Sequence, residues 1–339
     1  MKRIAVSLAI GTVLALVIAA CGRGVVDAGP IEASDPDTDN ATDASPEDDP
    51  PDDDAEPQTD ETDEPSQAPS NDHAPDSTDD TDSESATDPD DTTAIRLYYV
   101  APGGDTSGRA GPFLVSVQRE IPSTPGIARA TLRELVVGPS AADQALIDDI
   151  STSVPADTLV LGVNIADGLA TVDLSREFES GGGSFSMFSR LAQLVYTVTQ
   201  FPTVDEVEFM LDGQPVTVFS GEGIEIDGPA SRDDLVDLLP TVFVDTPAAG
   251  AEVEGGSLRI TGIAAVFEAT FQYRLETANG AVLDENFAMT DNGTGWGSFD
   301  VTIDYDLDEA QKATLTVWEY SAKDGSVQAQ RVTPLVLHP

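Results

Sequence analysis

The chain has 339 residues, with 62 Asp and Glu against 16 Lys and Arg, for a formal net charge of −46. That balance argues against nucleic acid, whose phosphates need clustered Lys and Arg, and against direct adhesion to anionic lipid. A single Cys excludes an intrachain disulfide framework and a Cys-based zinc site, and two His (His73 and His338) leave little basis for His-rich metal sites or Ser-His-Asp catalysis. No cofactor and no metal are expected. The length allows about two domains at roughly 150 residues each. An apolar fraction of 40% points to a folded part diluted by a disordered one.

The amino terminus reads as an address. Lys2 and Arg3 precede an apolar run from Ile4 to Ala20, which ends in Ile18-Ala19-Ala20-Cys21. This pattern resembles a bacterial lipobox, in which small residues precede a Cys that becomes the first residue of the mature protein. The resemblance implies a signal peptide over 1–20 and lipidation at Cys21, with the lipid as the contact to the membrane. Two or three acyl chains, at about 0.8 kcal/mol per buried CH₂, hold a protein stably there. The signal segment is excluded from fold reasoning.

Residues 21–94 read as a disordered acidic tether rich in Asp, Pro, Ser and Thr. From Asp27 to Ala94 there are 26 acidic residues, no Lys, no Arg and no aromatic residue. Such a segment buries too little apolar surface to offset chain entropy. As a flexible coil it spans about 45 Å, and self-repulsion extends it further. The Asp52-Asp53-Asp54 triplet does not form a calcium loop, whose ligands alternate and turn at a Gly.

Residues 95–239 read as an α+β domain with a mixed sheet and two main helices. Strands are expected at Ile95–Val100 and Phe113–Val117. A helix follows, with Thr124 as its cap and Pro125 at its first position, closed by Gly138-Pro139. Strands Thr158–Ile165 and Leu169–Leu174 flank Asp167-Gly168, a tight-turn signal that needs positive φ at both residues. A second helix from about Ser184 to Gln200 carries Phe185, Phe188, Leu191, Leu194, Val195 and Val198 on one side. Strands Glu206–Leu211 and Pro215–Phe219 flank Asp212-Gly213, and a short helix near Arg232–Leu239 leads out.

Several blocks of this region carry a resemblance. They are Leu97-Tyr98-Tyr99, the helix Ala130–Leu135 with Gly138-Pro139, Val154-Pro155, the run Asp167–Phe178, Gln193–Pro202, and Val207 with Asp212-Gly213. Together they resemble the GerMN domain of sporulation and germination proteins and of many actinobacterial lipoproteins. The resemblance spans residues 95–225. It implies an extracytoplasmic module for assembly or interaction, with no catalytic residues to carry over.

Residues 240–339 read as an all-β immunoglobulin-like sandwich of about seven strands. The expected strands are Thr241–Asp245, Leu258–Ile263, Thr270–Glu276, Val282–Phe287, Ser298–Tyr305, Ala313–Tyr320 and Val327–Val332, with Leu335–Leu337 extending the pairing. Phe271, Tyr273, Phe287, Phe299 and Trp318 are expected in its core. Thr246-Pro247, Gly262, Phe267-Glu268, Tyr273-Arg274-Leu275, Gly280, Phe299 and Trp318–Ser326 resemble the immunoglobulin-like domain of bacterial spore germination. That domain often follows a GerMN domain directly.

The chemistry points away from an enzyme. Lys312 and Lys323 are the only candidates for Ser-Lys pairing and read as surface charge. Glu177 and Glu179 lie two residues apart in a loop, which does not make a glycan-cleaving carboxylate pair. Asp304, Asp306 and Asp308 alternate, but Glu309 and Leu315 stand where a calcium loop needs Gly and Glu. The Gly104–Gly111 stretch lacks the Lys of a phosphate loop. The expectation is a lipid-anchored, non-enzymatic binding or scaffolding protein on the outer face of the cytoplasmic membrane. Its partner would be an envelope protein or wall polymer, with a sporulation or germination link. The alternative is a peptidoglycan hydrolase or a regulator of a wall enzyme. The charge divides into +3 for residues 1–26, −26 for 27–94 and −23 for 95–339, so over half of the excess belongs to the tether.

Overall fold

The computed structural model describes residues 91–103, 109, 111–221 and 223–339. Cys21, the signal segment, nearly all of the acidic tether and most of Gly104–Gly111 lie outside them. The first part opens with β1 (Thr92–Ala101) and β2 (Phe113–Pro122), paired antiparallel in register from Thr92↔Pro122 to Ala101↔Phe113. β1 starts three residues before Ile95, because Thr92–Ala94 still have partners on β2.

Helices α1 (Ile127–Val137) and α2 (Ala141–Leu146) follow. α1 starts later than the sequence suggests. Gly126 stands at its N-cap without a side-chain cap bond. Thr124 Oγ1 instead accepts from Gly126 N at 3.4 Å, so the hydroxyl organises a turn ahead of the helix. Gly138 ends α1 at φ 87°, with its N–H on Leu135 O. α2 is held by a reciprocal Ser140–Asp143 capping box. Arg119 pairs with both Asp143 and Glu134, tying α2 and α1 to β2.

β3 (Val160–Ala166) and β4 (Gly168–Leu174) form a hairpin. Asp167 and Gly168 turn at φ 52° and 84°, as the dipeptide predicts. Helix α3 (Ser184–Val198) then crosses to β5 (Val204–Leu211), which lies parallel to β4. The sheet order is β3-β4-β5-β6, with β6 at Gln214–Pro215. The expected strand Pro215–Phe219 is broken. Val218–Phe219 (β7) leaves that sheet and pairs instead with Ile224–Glu225 (β8). A 3-10 turn at Arg232–Leu238 leads out.

α3 fills the core of this α+β part with Met187, Leu191, Leu194, Val195 and Val198, all buried. Phe185, expected on that stripe, is 45% exposed at the first turn. The polar residues on the same face have a separate role. Gln193 Nε2 donates to Tyr98 O at 3.0 Å and its Oε1 accepts from Ser153 N at 2.8 Å. Gln200 accepts from Arg96 N and donates to Arg96 O, both at 2.7 Å. Ser151 exchanges two backbone bonds with Val100. The edge of β1 that faces away from β2 is thereby sealed, which satisfies groups that would otherwise be buried unpaired.

The second part is an all-β sandwich of eight strands among the described residues. In chain order these are β9 (Val242–Thr246), β10 (Glu252–Val253), β11 (Ser257–Ala264), β12 (Thr270–Thr277), β13 (Val282–Met289), β14 (Gly297–Asp304), β15 (Gln311–Tyr320) and β16 (Val327–Leu337). One sheet runs β14-β11-β9 and the other β10-β16-β15-β12-β13. Between them lie Leu258, Ile260, Leu275, Leu315, Val317 and Leu335, with Phe271 and Phe299 at 4.7 Å between ring centroids. β10 is absent from the sequence expectation, and Leu335–Leu337 continue β16 without a break.

Two of the expected core aromatics stand elsewhere. Gln272 pairs with Phe287 on one side and with Trp318 on the other, so these three share the face opposite to that of buried Phe271. Phe287 is 57% exposed there, and Trp318 is buried outside the sandwich core. Ala288, not Phe287, opposes Phe271.

The two parts meet through β9. Phe243 belongs to the first core, 6.5 Å from Tyr98 and 5.7 Å from Tyr196 between ring centroids. Asp245 accepts from Tyr98 Oη at 2.5 Å and pairs with Arg232 at 3.0 Å. Arg232 also donates to Thr199 Oγ1 and Tyr196 O, with its guanidinium 4.7 Å from the Tyr196 ring centroid. Ala249 exchanges backbone bonds with Ser116 and Gln118 of β2.

Candidate interaction site

The site is built where α1 crosses the outer edge of β3. Arg129 sits on the exposed side of α1 and donates from one guanidinium nitrogen to Val160 O at 3.2 Å and to Leu161 O at 2.9 Å. It divides the surface into two adjoining grooves. One, of about 370 Å³, has Arg129, Arg133, Val136, Leu159 and Leu161 in its walls and Thr158 at its base. The other, of about 340 Å³, lies between Pro125–Arg129, Val163, Ile165 and Phe201-Pro202.

The walls are apolar and open. Leu159 is 60% exposed, Leu161 40% and Ile165 37%. Large aliphatic side chains left in water this close together form an exposed apolar patch. Thr158 is buried, and its Oγ1 has no hydrogen-bond partner among the described residues.

The surface also carries two exposed guanidiniums close together. Arg129 reaches only carbonyl oxygens, and Arg133, four residues along the same helix face, has no partner among the described residues. In a region whose net charge is −23, arising from 36 acidic and 13 basic residues, two guanidiniums without a carboxylate form a local cationic point. Arg190 also lacks a carboxylate but is buried: it donates to the carbonyls of Ser153, Phe178, Ser180 and Gly181, and is held below its usual pKa by burial. It thereby organises the loop that carries Gly181 and Gly182, both at positive φ.

The residues weighed for chemistry do not converge. Glu177 and Glu179 lie in a 3-10 turn, where Glu179 pairs with Arg176 at 3.3 Å and accepts from Ser220 N. A hydrogen bond from Ser175 holds the Glu177 carboxyl below its ordinary range. Lys312 and Lys323 are exposed on the sandwich. Among the described residues no three His, Cys, Asp or Glu side chains form a group able to hold a metal, which includes Asp304, Asp306 and Asp308. No helix among them is long and apolar enough to cross a membrane. The sequence reading missed Arg129 and Arg133 as a site. Their i, i+4 spacing on one helix face was the available signal.

Comparison with known proteins agrees with this architecture. Residues 96–217 match the family model Germane, described as sporulation and spore germination. Residues 241–326 match the model described as the immunoglobulin-like domain of bacterial spore germination. No curated protein matches the chain. Among solved structures, the first GerMN domain of the sporulation protein GerM from Bacillus subtilis is 24% identical. That match covers 42% of this chain and 99% of the other, with a TM-score of 0.35. The tandem GerMN domains of the same protein are 19% identical over 65% of this chain and 64% of that one, with a TM-score of 0.36. A Clostridium perfringens protein described as a lipoprotein is 20% identical over 44% of this chain and 93% of that one, with a TM-score of 0.30. The chain thus carries a Germane domain of the sporulation and spore-germination family, followed by an immunoglobulin-like domain of bacterial spore germination.

Proposed function

We propose that this is a lipid-anchored, extracytoplasmic binding and scaffolding protein of the bacterial envelope that acts by contact and not by catalysis. Residues 1–20 direct export, Cys21 carries the lipid, and residues 21–94 hold the two folded domains away from the membrane. The observation that carries the binding reading is the α1–β3 surface, with its exposed aliphatic side chains and two guanidiniums that lack carboxylate partners. The family of both domains supports a place in sporulation or germination. The acidic composition fits an anchor that does not depend on surface charge.

The test is site-specific photocrosslinking in intact cells, with the crosslinker replacing Leu161 in the groove or, as a control, Asp284 on the sandwich. The reading expects a discrete adduct with an envelope protein or wall polymer from position 161 and none from 284. Equal adducts from both positions, or release of muropeptides from purified wall by the chain itself, would overturn it. For the anchor, Cys21→Ala is expected to leave the protein unlipidated and released from membranes. Unchanged mobility together with unchanged membrane retention would remove Cys21 from the assignment.

A further inference from the structure

Among the described residues the α+β part leaves three long strands, β1, β2 and β3, with one side unpaired by another strand, and it treats them differently. β2 exchanges backbone bonds with Ala249 at Ser116 and Gln118. The free side of β1 is sealed by Gln193 and Thr197 of α3, by Gln200 in the turn just beyond it and by Ser151. β3 pairs with β4 alone. Its sequence, Val160-Leu161-Gly162-Val163-Asn164-Ile165-Ala166, contains no charge and no Pro. Open edges are ordinarily guarded by charges, Pro or covering loops. The edge strand β13 follows that rule, with Asp284 and Glu285 in its middle. β3 does not.

The turn fixes which backbone groups of β3 face outward. Asp167-Gly168 closes a two-residue hairpin, so Ala166↔Leu169 and Asn164↔Thr171 are the hydrogen-bonded pairs. Val163↔Val172 and Ile165↔Ala170 are the non-hydrogen-bonded pairs that alternate with them, and the N–H and C=O groups of Val163 and Ile165 point away from β4. The guanidinium on Leu161 O closes one end of this stretch. The free edge therefore starts beside a cation, runs past two exposed aliphatic side chains and ends at the turn.

Resting on the binding reading above, we infer that the free edge of β3 accepts an extended segment of a partner protein as an added strand, and that this segment carries apolar and carboxylate side chains together on the face turned to α1. The strand supplies partners for Val163 and Ile165, and on the face turned to α1 its apolar side chains cover Ile165 while its carboxylates, two residues along, meet Arg129 and Arg133. Main-chain pairing provides affinity and the side chains of that face provide selection, as in other cases of strand addition. Charge complementarity selects the occupant. A basic strand would bring its charges against the two guanidiniums, whereas an acidic one neutralises the cationic point that the chain leaves uncompensated.

The test uses the full chain and three fluorescent peptides with capped ends. One carries Val and Glu at successive positions of one face, one carries Val and Lys there, and one is the Val–Glu peptide with N-methyl groups on alternate amides. The expected result is anisotropy-detected binding of the Val–Glu peptide, slower amide exchange at Val163 and Ile165, and no binding of the methylated form. Arg133→Glu should weaken binding about fivefold. Ile165→Pro should abolish it. Ile165→Glu, which leaves the backbone donor in place, keeps the test valid if the Pro variant unfolds, and it should also abolish binding. Equal binding of the Lys peptide, undiminished binding of the methylated peptide, or protection at β13 would overturn the inference. So would self-association lost on Ile165→Pro, which would assign the edge to a second copy of this chain. If the adduct from position 161 persists while the peptide results fail, the binding reading stands and strand addition falls. Failure of both removes both.

Discussion

The sealing of β1 by α3 yields a quantitative prediction, because two glutamines do the same task at different depths. Gln193 is fully buried and Gln200 is half-buried. Replacing Gln193 by Leu keeps the side-chain volume and costs almost nothing in helix propensity. It leaves the carbonyl of Tyr98, itself fully buried, without its 3.0 Å donor, and the N–H of Ser153 without its 2.8 Å acceptor. An unpaired buried polar group costs about 1–3 kcal/mol, and the half-buried Ser153 N–H adds less, so Gln193→Leu should destabilise by about 2–4 kcal/mol. Gln200→Leu frees the N–H and C=O of Arg96, which lie close enough to solvent for water to replace the amide, so its cost should be about 1 kcal/mol. Denaturant unfolding of both variants measures the difference directly, and amide exchange at Arg96 and Tyr98 locates it. Equal costs for the two variants, or a neutral Gln193→Leu, would refute the view that α3 and the turn just beyond it carry these amides to satisfy the β1 edge.

The remaining predictions follow from the domain junction and the sandwich. Asp245→Ala removes the acceptor of Tyr98 and the partner of Arg232. It should cost about 2–3 kcal/mol and split a single calorimetric transition into two; a retained single transition would show that the junction does not depend on this carboxylate. Burial, reinforced by the Asp245 charge, raises the Tyr98 hydroxyl from 10.0 to about 12, and burial raises Tyr99 and Tyr196 further still. Because the unfolded chain loses these protons first, the stabilisation is intact below pH 10 and is lost as pH rises through 12. Tyr98 alone accounts for about 3 kcal/mol of that loss. Spectrophotometric titration should show these phenols ionising together with unfolding, and smooth ionisation in the native state near pH 10 would contradict it. In the sandwich, Phe271→Ala should cost about 3–5 kcal/mol while Phe287→Ala stays within about 0.5 kcal/mol, and thermal melts of the two variants separate core from surface.

Much of the fold is legible in the sequence because local chemistry dictates it. Asp167-Gly168 and Asp212-Gly213 turn at positive φ at both residues, as a two-residue hairpin requires. Helical spacing places α1 and α3, and the strand alternation in the sandwich marks every strand but the two-residue β10. Local chemistry says less where a neighbour decides. Thr124-Pro125 is an adequate helix start, yet its hydroxyl closes a preceding turn. Phe287 belongs to the sequence's aromatic set, but only the register with Gln272 shows that it faces outward. Gln193 and Gln200 look like polar interruptions of an apolar helix until the unpaired side of β1 is set beside them.

The junction carries the same lesson to the candidate site. From the sequence, residues 239 and 240 separate two modules of different class, a place where a hinge is the default expectation. The structure instead inserts Phe243 into the first core beside Tyr98 and Tyr196, and sets Asp245 against Arg232 and the Tyr98 hydroxyl. Tyr98 thereby links three things: its backbone is sealed by α3, its ring packs on β9, and its hydroxyl meets the sandwich's carboxylate. α3 also packs against α1, the helix that presents Arg129 and Arg133. A change at the junction is therefore connected by packed side chains to the groove wall. Swinging the sandwich away would expose Phe243 and leave Asp245 and Arg232 unpaired. The cost of that motion argues that the two parts move as one body.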